Sequence, residues 1–237
     1  MNTQHASASE SGRMSWAKLD GAEALLKAVV NTKAVEPRSN VLRQGDVPTV
    51  AHVLLEGHTY RYRLLKDGRR QITALLVPGD ICDLEAVMRG RAEYSVTAMA
   101  NCVLGEIPAS AITDPTTADP ELVWALWRRL LRDEAISREW LVNIGCRTAL
   151  ERVAHLICEY RLRLQAVGLT KGDAFKMQLT QAELADLLGL STVHINRVLK
   201  QLRKTSLVDF SKSIMSVSNV PALEKLAGFD PAYLKMV

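Results

Sequence analysis

The sequence predicts an α+β chain in three parts: an N-terminal β-barrel, a long helix suited to dimerisation, and a C-terminal winged helix-turn-helix. Three observations carry this reading. Short apolar runs separated by glycine and proline turn signals fill residues 35–108. Apolar positions spaced three and four apart run from 120 to 145. Residues 178–203 read as two helices joined at a glycine. The expected divisions are a disordered tail at 1–15, the barrel at 16–118, the long helix at 119–146 and the winged helix-turn-helix at 147–237.

In chain order, residues 16–33 suggest a short amphipathic helix with Leu19, Ala22, Leu25, Leu26 and Val29 on one side. Turn signals follow at Gly45-Asp46, Glu56-Gly57, Asp67-Gly68 and Pro78-Gly79-Asp80, with strands expected at Val50–Leu55, Thr59–Leu65 and Gln71–Val77. Tyr60, Tyr62 and Leu64 alternate with Arg61 and Arg63, the period of a half-exposed strand. Residues 110–120, rich in Pro, Thr and Asp, read as a connection. In the long helix Val123, Leu126, Leu130, Ser137, Leu141 and Ile144 form a seam that would pair with a second copy, with Glu134 inside it. A carboxylate there would face its symmetry mate and weaken the dimer, or lean to solvent beside Arg138.

Thr148 with Glu151, and Thr180 with Glu183, are Thr-x-x-Glu capping boxes that start helices. Leu184, Leu187 and Leu188 give the first helix of the motif its apolar face, Gly189 turns the chain, and Ser191 caps the second helix. There Ile195, Val198, Leu199 and Leu202 must be buried, which leaves Val193, Asn196, Arg197 and Lys200 outside. Such a basic face suits the major groove of double-stranded DNA. Residues 207–217 read as a hairpin wing and 220–227 as a closing helix.

The chain of 237 residues is 48% hydrophobic and 24% charged, with net charge +4. That composition suits a globular protein, and the mild basicity is compatible with nucleic acid. No run of 18 apolar residues and no signal-peptide pattern occurs, so a cytoplasmic chain without membrane contact is expected. The four cysteines, at 82, 102, 146 and 158, form no C-x-x-C and are expected as free thiols. No G-x-S-x-G, P-loop, H-E-x-x-H or paired-carboxylate motif appears, so no enzyme is expected.

Several stretches, in this order, resemble the Crp/Fnr family of bacterial transcription regulators over nearly the whole chain: Arg43-Gln44-Gly45-Asp46, Leu55-Glu56-Gly57, Asp67-Gly68-Arg69-Arg70-Gln71-Ile72, Pro78-Gly79-Asp80, Gly105-Glu106-Ile107-Pro108, Glu151-Arg152-Val153-Ala154 and residues 178–203. The resemblance implies a cyclic-nucleotide-binding-like jelly roll as sensor domain, a homodimer on an inverted-repeat promoter site, and contact with RNA polymerase. It places base readers at Thr192, Val193, Asn196 and Arg197, with Arg197 suited to guanine O6 and N7. Gln181, Ser191, His194 and Lys200 are expected on phosphates or at the periphery. Many members carry glutamate where this chain has Val193. Valine cannot accept from a cytosine amino group but can touch a thymine methyl, so Val193→Glu is expected to change base preference.

Family members that bind cyclic AMP hold its ribose with a glutamate and its phosphate with an arginine. The corresponding positions here are Leu84 and Tyr94, in Cys82-Asp83-Leu84-Glu85 and Tyr94-Ser95, which disfavours cyclic AMP unless Arg89 or Arg91 substitutes. No cysteine precedes Cys82, so the clustered cysteines of an iron–sulfur cluster are absent. No cofactor is predicted. A haem- or small-molecule-gated sensor stays open on His52, His58 and Cys82. The set His52, Glu56 and His58 also leaves open a metal-dependent barrel enzyme with an accessory helical domain.

Overall fold

Glycines and short polar stretches cut the first half of the chain into strands too brief to stand alone, and apart from one local hairpin they find partners across long sequence separations. The computed structural model describes residues 16–235 except 18, 20, 115, 117, 118 and 212; the tail expected at 1–15 lies outside the described residues. The described residues divide into two compact units, one within 16–63 and 75–129, the other within 64–74 and 130–235. The division falls inside the long helix.

The first unit opens with helix α1 (Ala22–Ala28). Gly21 precedes it at φ 74°, and a Cβ there would lie 2.8 Å from that of Ala125, so both backbone angle and space require glycine. Strands β1 (Asn31–Val35), β2 (Asn40–Leu42), β3 (Val50–Glu56), β4 (Thr59–Leu64) and β5 (Arg70–Leu76) follow, then helix α2 (Leu84–Arg89) and strands β6 (Ser95–Ala98) and β7 (Cys102–Pro108). They form a three-stranded sheet in the order β1-β7-β3 and a four-stranded sheet in the order β2-β6-β4-β5. The expected barrel is therefore a jelly roll of two separate sheets rather than a closed ring. One edge of each sheet is a short strand, five residues in β1 and three in β2, and among the described residues no ladder joins the two sheets. The core fills from Ala51 to Leu55 along β3, with Leu104 and Ile107 of β7 and Tyr60 and Val96 beside them. The Trp16 indole donates to Leu55 O at 3.2 Å and ties the N-terminal segment to that core.

The alternation expected along β4 is a gradient instead. Tyr60 is buried while Leu64 is 54% exposed, and burial falls steadily from the start of the strand to its end. The connection expected at 110–120 holds a short helix, α3 (Ala109–Thr113).

Helix α4 (Pro120–Cys146) runs through the division. Helix α5 (Ala149–Ala166) starts at a complete capping box, with Thr148 N donating to Glu151 Oε2 at 2.7 Å. Then come β8 (Thr170–Lys171), β9 (Ala174–Lys176), helices α6 (Gln181–Leu188) and α7 (Thr192–Lys204), strands β10 (Val208–Ser211) and β11 (Ile214–Val217), helix α8 (Val220–Ala227) and a 3₁₀ turn (Pro231–Leu234). The wing is broader than a hairpin: the sheet order is β10-β11-β9-β8. Ile157, Tyr160, Leu164, Phe175, Leu188, Ile195, Leu202 and Leu223 form the core of this module. Among the described residues no helix is long and apolar enough to cross a membrane.

Candidate nucleic-acid interface

The interface is built by two helix starts and one turn. Thr180 Oγ1 accepts from Glu183 N at 3.2 Å while Glu183 Oε2 accepts from Thr180 N at 2.8 Å, which fixes the first turn of α6. Gly189, at φ 64°, ends α6 in the left-handed conformation and lets Leu190 N donate to Ala185 O. Two residues later Ser191 Oγ accepts from His194 N at 3.2 Å and starts α7.

This register decides what α7 shows to solvent. Ile195, Val198 and Leu202 are buried, Leu199 is half-buried, and Val193, Asn196, Arg197 and Lys200 are exposed. The four exposed residues follow i, i+3, i+4, i+7 and share one face. Gln181, Ser191 and Thr192 are exposed beside them, and His194 is half-buried. The helix has no acidic residue in its first turn and carries Arg203 and Lys204 in its last. Arg203 Nη2 donates to Phe210 O and so ties α7 to the wing.

Three groups of contacts within the second unit were missed by sequence reasoning. Arg152 donates from Nη1 to Leu188 O at 2.9 Å and from Nη2 to Ile144 O at 2.7 Å and Arg147 O at 3.2 Å, which fastens the ends of α4 and α6 together. Its partners are main-chain carbonyls, which leave no side-chain signal. Within the second unit, Arg70 of the hairpin pairs with Asp186 of α6 at 2.7 Å, and Gln71 Nε2 donates to Leu187 O at 3.1 Å. Behind α5, buried Glu159 accepts from Tyr233 Oη at 2.7 Å and Trp140 Nε1 at 3.2 Å, and burial holds its carboxyl above the usual range. His155 stacks on the Tyr233 ring at 6.2 Å; burial, with Arg147 nearby, pushes its imidazole down to about 4.

The outward face of α4 also differs from the expected seam. Leu126 is only 5% exposed, because the first turns of the helix turn Leu122, Ala125 and Leu126 into the core of the first unit, and Val123 is half-buried. Leu130, Glu134, Ser137, Leu141 and Ile144 are exposed. With them lie Trp124 (63% exposed), Trp127 (55%) and Leu131, which sequence reasoning missed although two tryptophans three apart were visible. Trp124, Trp127, Leu131, Glu134, Arg138 and Leu141 are spaced 3, 4, 3, 4, 3, a heptad stripe. Glu134 pairs with Arg138 at 2.8 Å on this face.

The comparisons with known proteins cover both units. Residues 151–226 match the Crp-like helix-turn-helix domain and residues 32–114 match the cyclic nucleotide-binding domain. The chain belongs to the Crp/Fnr family of DNA-binding transcription regulators. Similar relatives include the nitrogen fixation regulation protein FixK of Azorhizobium caulinodans, 28% identical over 78% of this chain and 75% of that protein. The fumarate and nitrate reduction regulatory protein of Escherichia coli is 22% identical over 83% of this chain and 78% of that protein. The structure of FixK2 from Bradyrhizobium japonicum shares the fold, with a TM-score of 0.73, 21% identity, and coverage of 83% of this chain and 96% of that one. These relatives are regulators rather than enzymes, which sets aside the metal-dependent barrel enzyme.

In this Crp/Fnr member the cyclic nucleotide-binding domain turns its polar groups inward. Tyr94, at the position where relatives that bind cyclic AMP place an arginine, is buried, and the Arg61 guanidinium lies over its ring at 5.6 Å. Arg61 donates from Nε to Cys82 O at 2.9 Å and from Nη2 to Ile81 O. Asp83 is fully buried, accepting from His52 N at 2.7 Å with His52 Nδ1 2.5 Å from its other oxygen. Leu84 carries no carboxylate for a ribose, and Arg89 is paired with Glu93 at 2.9 Å on the surface. Neither Leu84 nor Tyr94 supplies the carboxylate and the guanidinium that the resemblance assigns to the ribose and the phosphate of a cyclic nucleotide. Burial also holds the Cys82 thiol well above its ordinary value. Among the described residues no group of three His, Cys, Asp or Glu is placed to hold a metal, so His52, Glu56 and His58 do not converge.

Proposed function

We propose that the chain is a cytoplasmic homodimer that binds an inverted-repeat promoter site without cyclic AMP, each α7 entering one major groove. The observation that carries this reading is the face of α7, where Val193, Asn196, Arg197 and Lys200 stand exposed together on a helix fixed at its start by Ser191. Arg197 reads guanine, Thr192, Val193 and Asn196 complete the base contacts, and Gln181, Ser191, His194 and Lys200 hold phosphates. The stripe from Trp124 to Leu141 on α4 supports pairing with a second copy, since exposed tryptophan and leucine at heptad spacing lose apolar area to water unless covered. On this reading residues 16–118 are the sensor domain, 119–146 the dimerisation helix and 147–237 the DNA-binding domain, with RNA polymerase as a further partner.

The test takes a duplex enriched by the full chain from a random pool. Sedimentation is expected to give two chains per duplex, and affinity to fall steeply with salt as phosphate contacts release counterions. A one-to-one complex, or an affinity indifferent to salt, would overturn the proposal.

A further inference from the structure

Three helices of the second unit bring their C-terminal carbonyls to the junction of α4 and α5, where two guanidiniums meet them. Arg147, the first residue after α4, donates from Nε to Ala227 O at 3.1 Å and from Nη2 to Gly228 O at 3.2 Å, at the end of α8. Arg152, at the start of α5, takes Ile144 O from the last turn of α4, Arg147 O from the link, and Leu188 O from the last turn of α6. Carbonyls at a helix C-terminus have no partner inside their own helix, and the helix dipole makes that end negative. A guanidinium that serves several of them at once is therefore a strong joint.

The two helix ends held by Arg152 lead to different tasks. Helix α4 carries the stripe proposed to pair with a second copy, and its part from Leu130 onward belongs to the same compact unit as the helix-turn-helix. Leu188 ends α6, and only Gly189 and Leu190 separate it from Ser191, which starts α7. A Cβ on Gly189 would stand 3.9 Å from Arg152 Nη1, so the turn itself lies against the guanidinium. Between α4 and α5 the chain has only Arg147 and Thr148. A few residues at the ends of elements can act as a hinge, and the Arg152 fork spans this one.

We infer that Arg152 is a positioning residue that fixes α7 relative to α4 and thereby sets the spacing at which one dimer binds two half-sites. The role rests on α4 pairing two chains and α7 reading DNA, as proposed above. One added base pair moves the second half-site by about 3.4 Å and turns it by about 35° around the duplex. Two reading modules joined rigidly then lose the second site, whereas modules joined loosely follow it.

The experiment takes the duplex enriched by the full chain and adds or removes one or two base pairs between its half-sites. Wild type is expected to lose about a hundredfold in affinity at one base pair off the enriched spacing, and Arg152→Gln about tenfold or less. The half-site sequence enriched by the variant should stay that of wild type. Arg152→Lys keeps the charge without the fork and should lie between them, which also covers the case in which Arg152→Gln does not fold. Arg161→Gln is the control: it removes the pair with Asp173 further along α5, and is expected to lose stability while keeping the wild-type dependence on spacing. An Arg152 variant as sensitive to spacing as wild type would overturn the inference while leaving DNA binding intact. So would an Arg161→Gln chain that loosens spacing as much, because spacing would then follow stability alone. Wild type indifferent to spacing, or bound as one chain per duplex, would overturn the homodimer reading as well.

Discussion

The face of α7 and the polar cluster of the first unit use similar side chains to opposite ends. On α7, Arg197 and Asn196 stand in solvent, and their donors are available to a partner. In the first unit, Arg61 reaches the carbonyls of Ile81 and Cys82, His52 holds buried Asp83, and Tyr94 packs over the guanidinium. A polar group hydrogen-bonded within the fold stabilises the fold; one left facing water by a rigid helix is poised for binding. Residue type alone does not separate the two cases. What separates them is whether the local frame turns the side chain toward main-chain carbonyls or away from them.

Substitutions at the two arginines should separate stability from recognition. Arg61→Ala is expected to cost about 3 kcal/mol of stability, read by urea unfolding, because two buried carbonyls lose charge-assisted donors. It should leave the enriched DNA sequence unchanged. Arg197→Ala should do the reverse: unfolding within about 0.5 kcal/mol of wild type, and a loss of about 2 kcal/mol in discrimination at one guanine, read by competition binding. Equal stability losses at both sites would break the contrast.

The cluster behind α5 predicts a smaller, pH-dependent effect. Unfolded, His155 titrates near its ordinary 6.5; folded, it is pushed down to about 4. The folded chain thus refuses a proton that the unfolded chain accepts, so this contribution is complete above pH 6.5 and is lost as pH falls toward 4. At pH 5.5 the loss is on the order of 1 kcal/mol, which His155→Gln should abolish. Glu159, held above the usual range by burial, acts in the opposite sense and is common to both variants. Unfolding curves at pH 7 and 5.5 for wild type and His155→Gln read the difference directly. The smallest expected effect is none at all: adding cyclic AMP should leave the melting temperature of wild type unmoved, since a ligand that binds the folded state raises it. A rise would show that the first unit retains a nucleotide site despite Tyr94 and Leu84.

Much of the fold was legible because local signals and packing agree. Both Thr-x-x-Glu boxes cap their helices, Gly189 takes the left-handed turn, and Ser191 starts α7. Period and capping are properties of neighbouring residues, and these survive in a linear text. Other features depend on distant partners and left little trace. Strands β8 and β9, two and three residues long, are too short for an alternating pattern, yet they widen the wing into a sheet. Leu126 keeps helical spacing with the expected seam, and only the core of the first unit decides that it turns inward while Trp124 and Trp127 stay out. Arg152 works through carbonyls of residues 144, 147 and 188, contacts that no spacing rule marks. The outward face of α7 was readable from its period, whereas the inward use of Arg61 was not.

The central claim, that this outward face does the reading, is tested most directly by comparing the sequences that full-length wild type and Arg197→Ala enrich from one random DNA pool. The account predicts an inverted repeat for wild type, with half-sites about one helical turn apart, and the loss of one guanine column per half-site in the variant. The same enriched sequence from both proteins would contradict it.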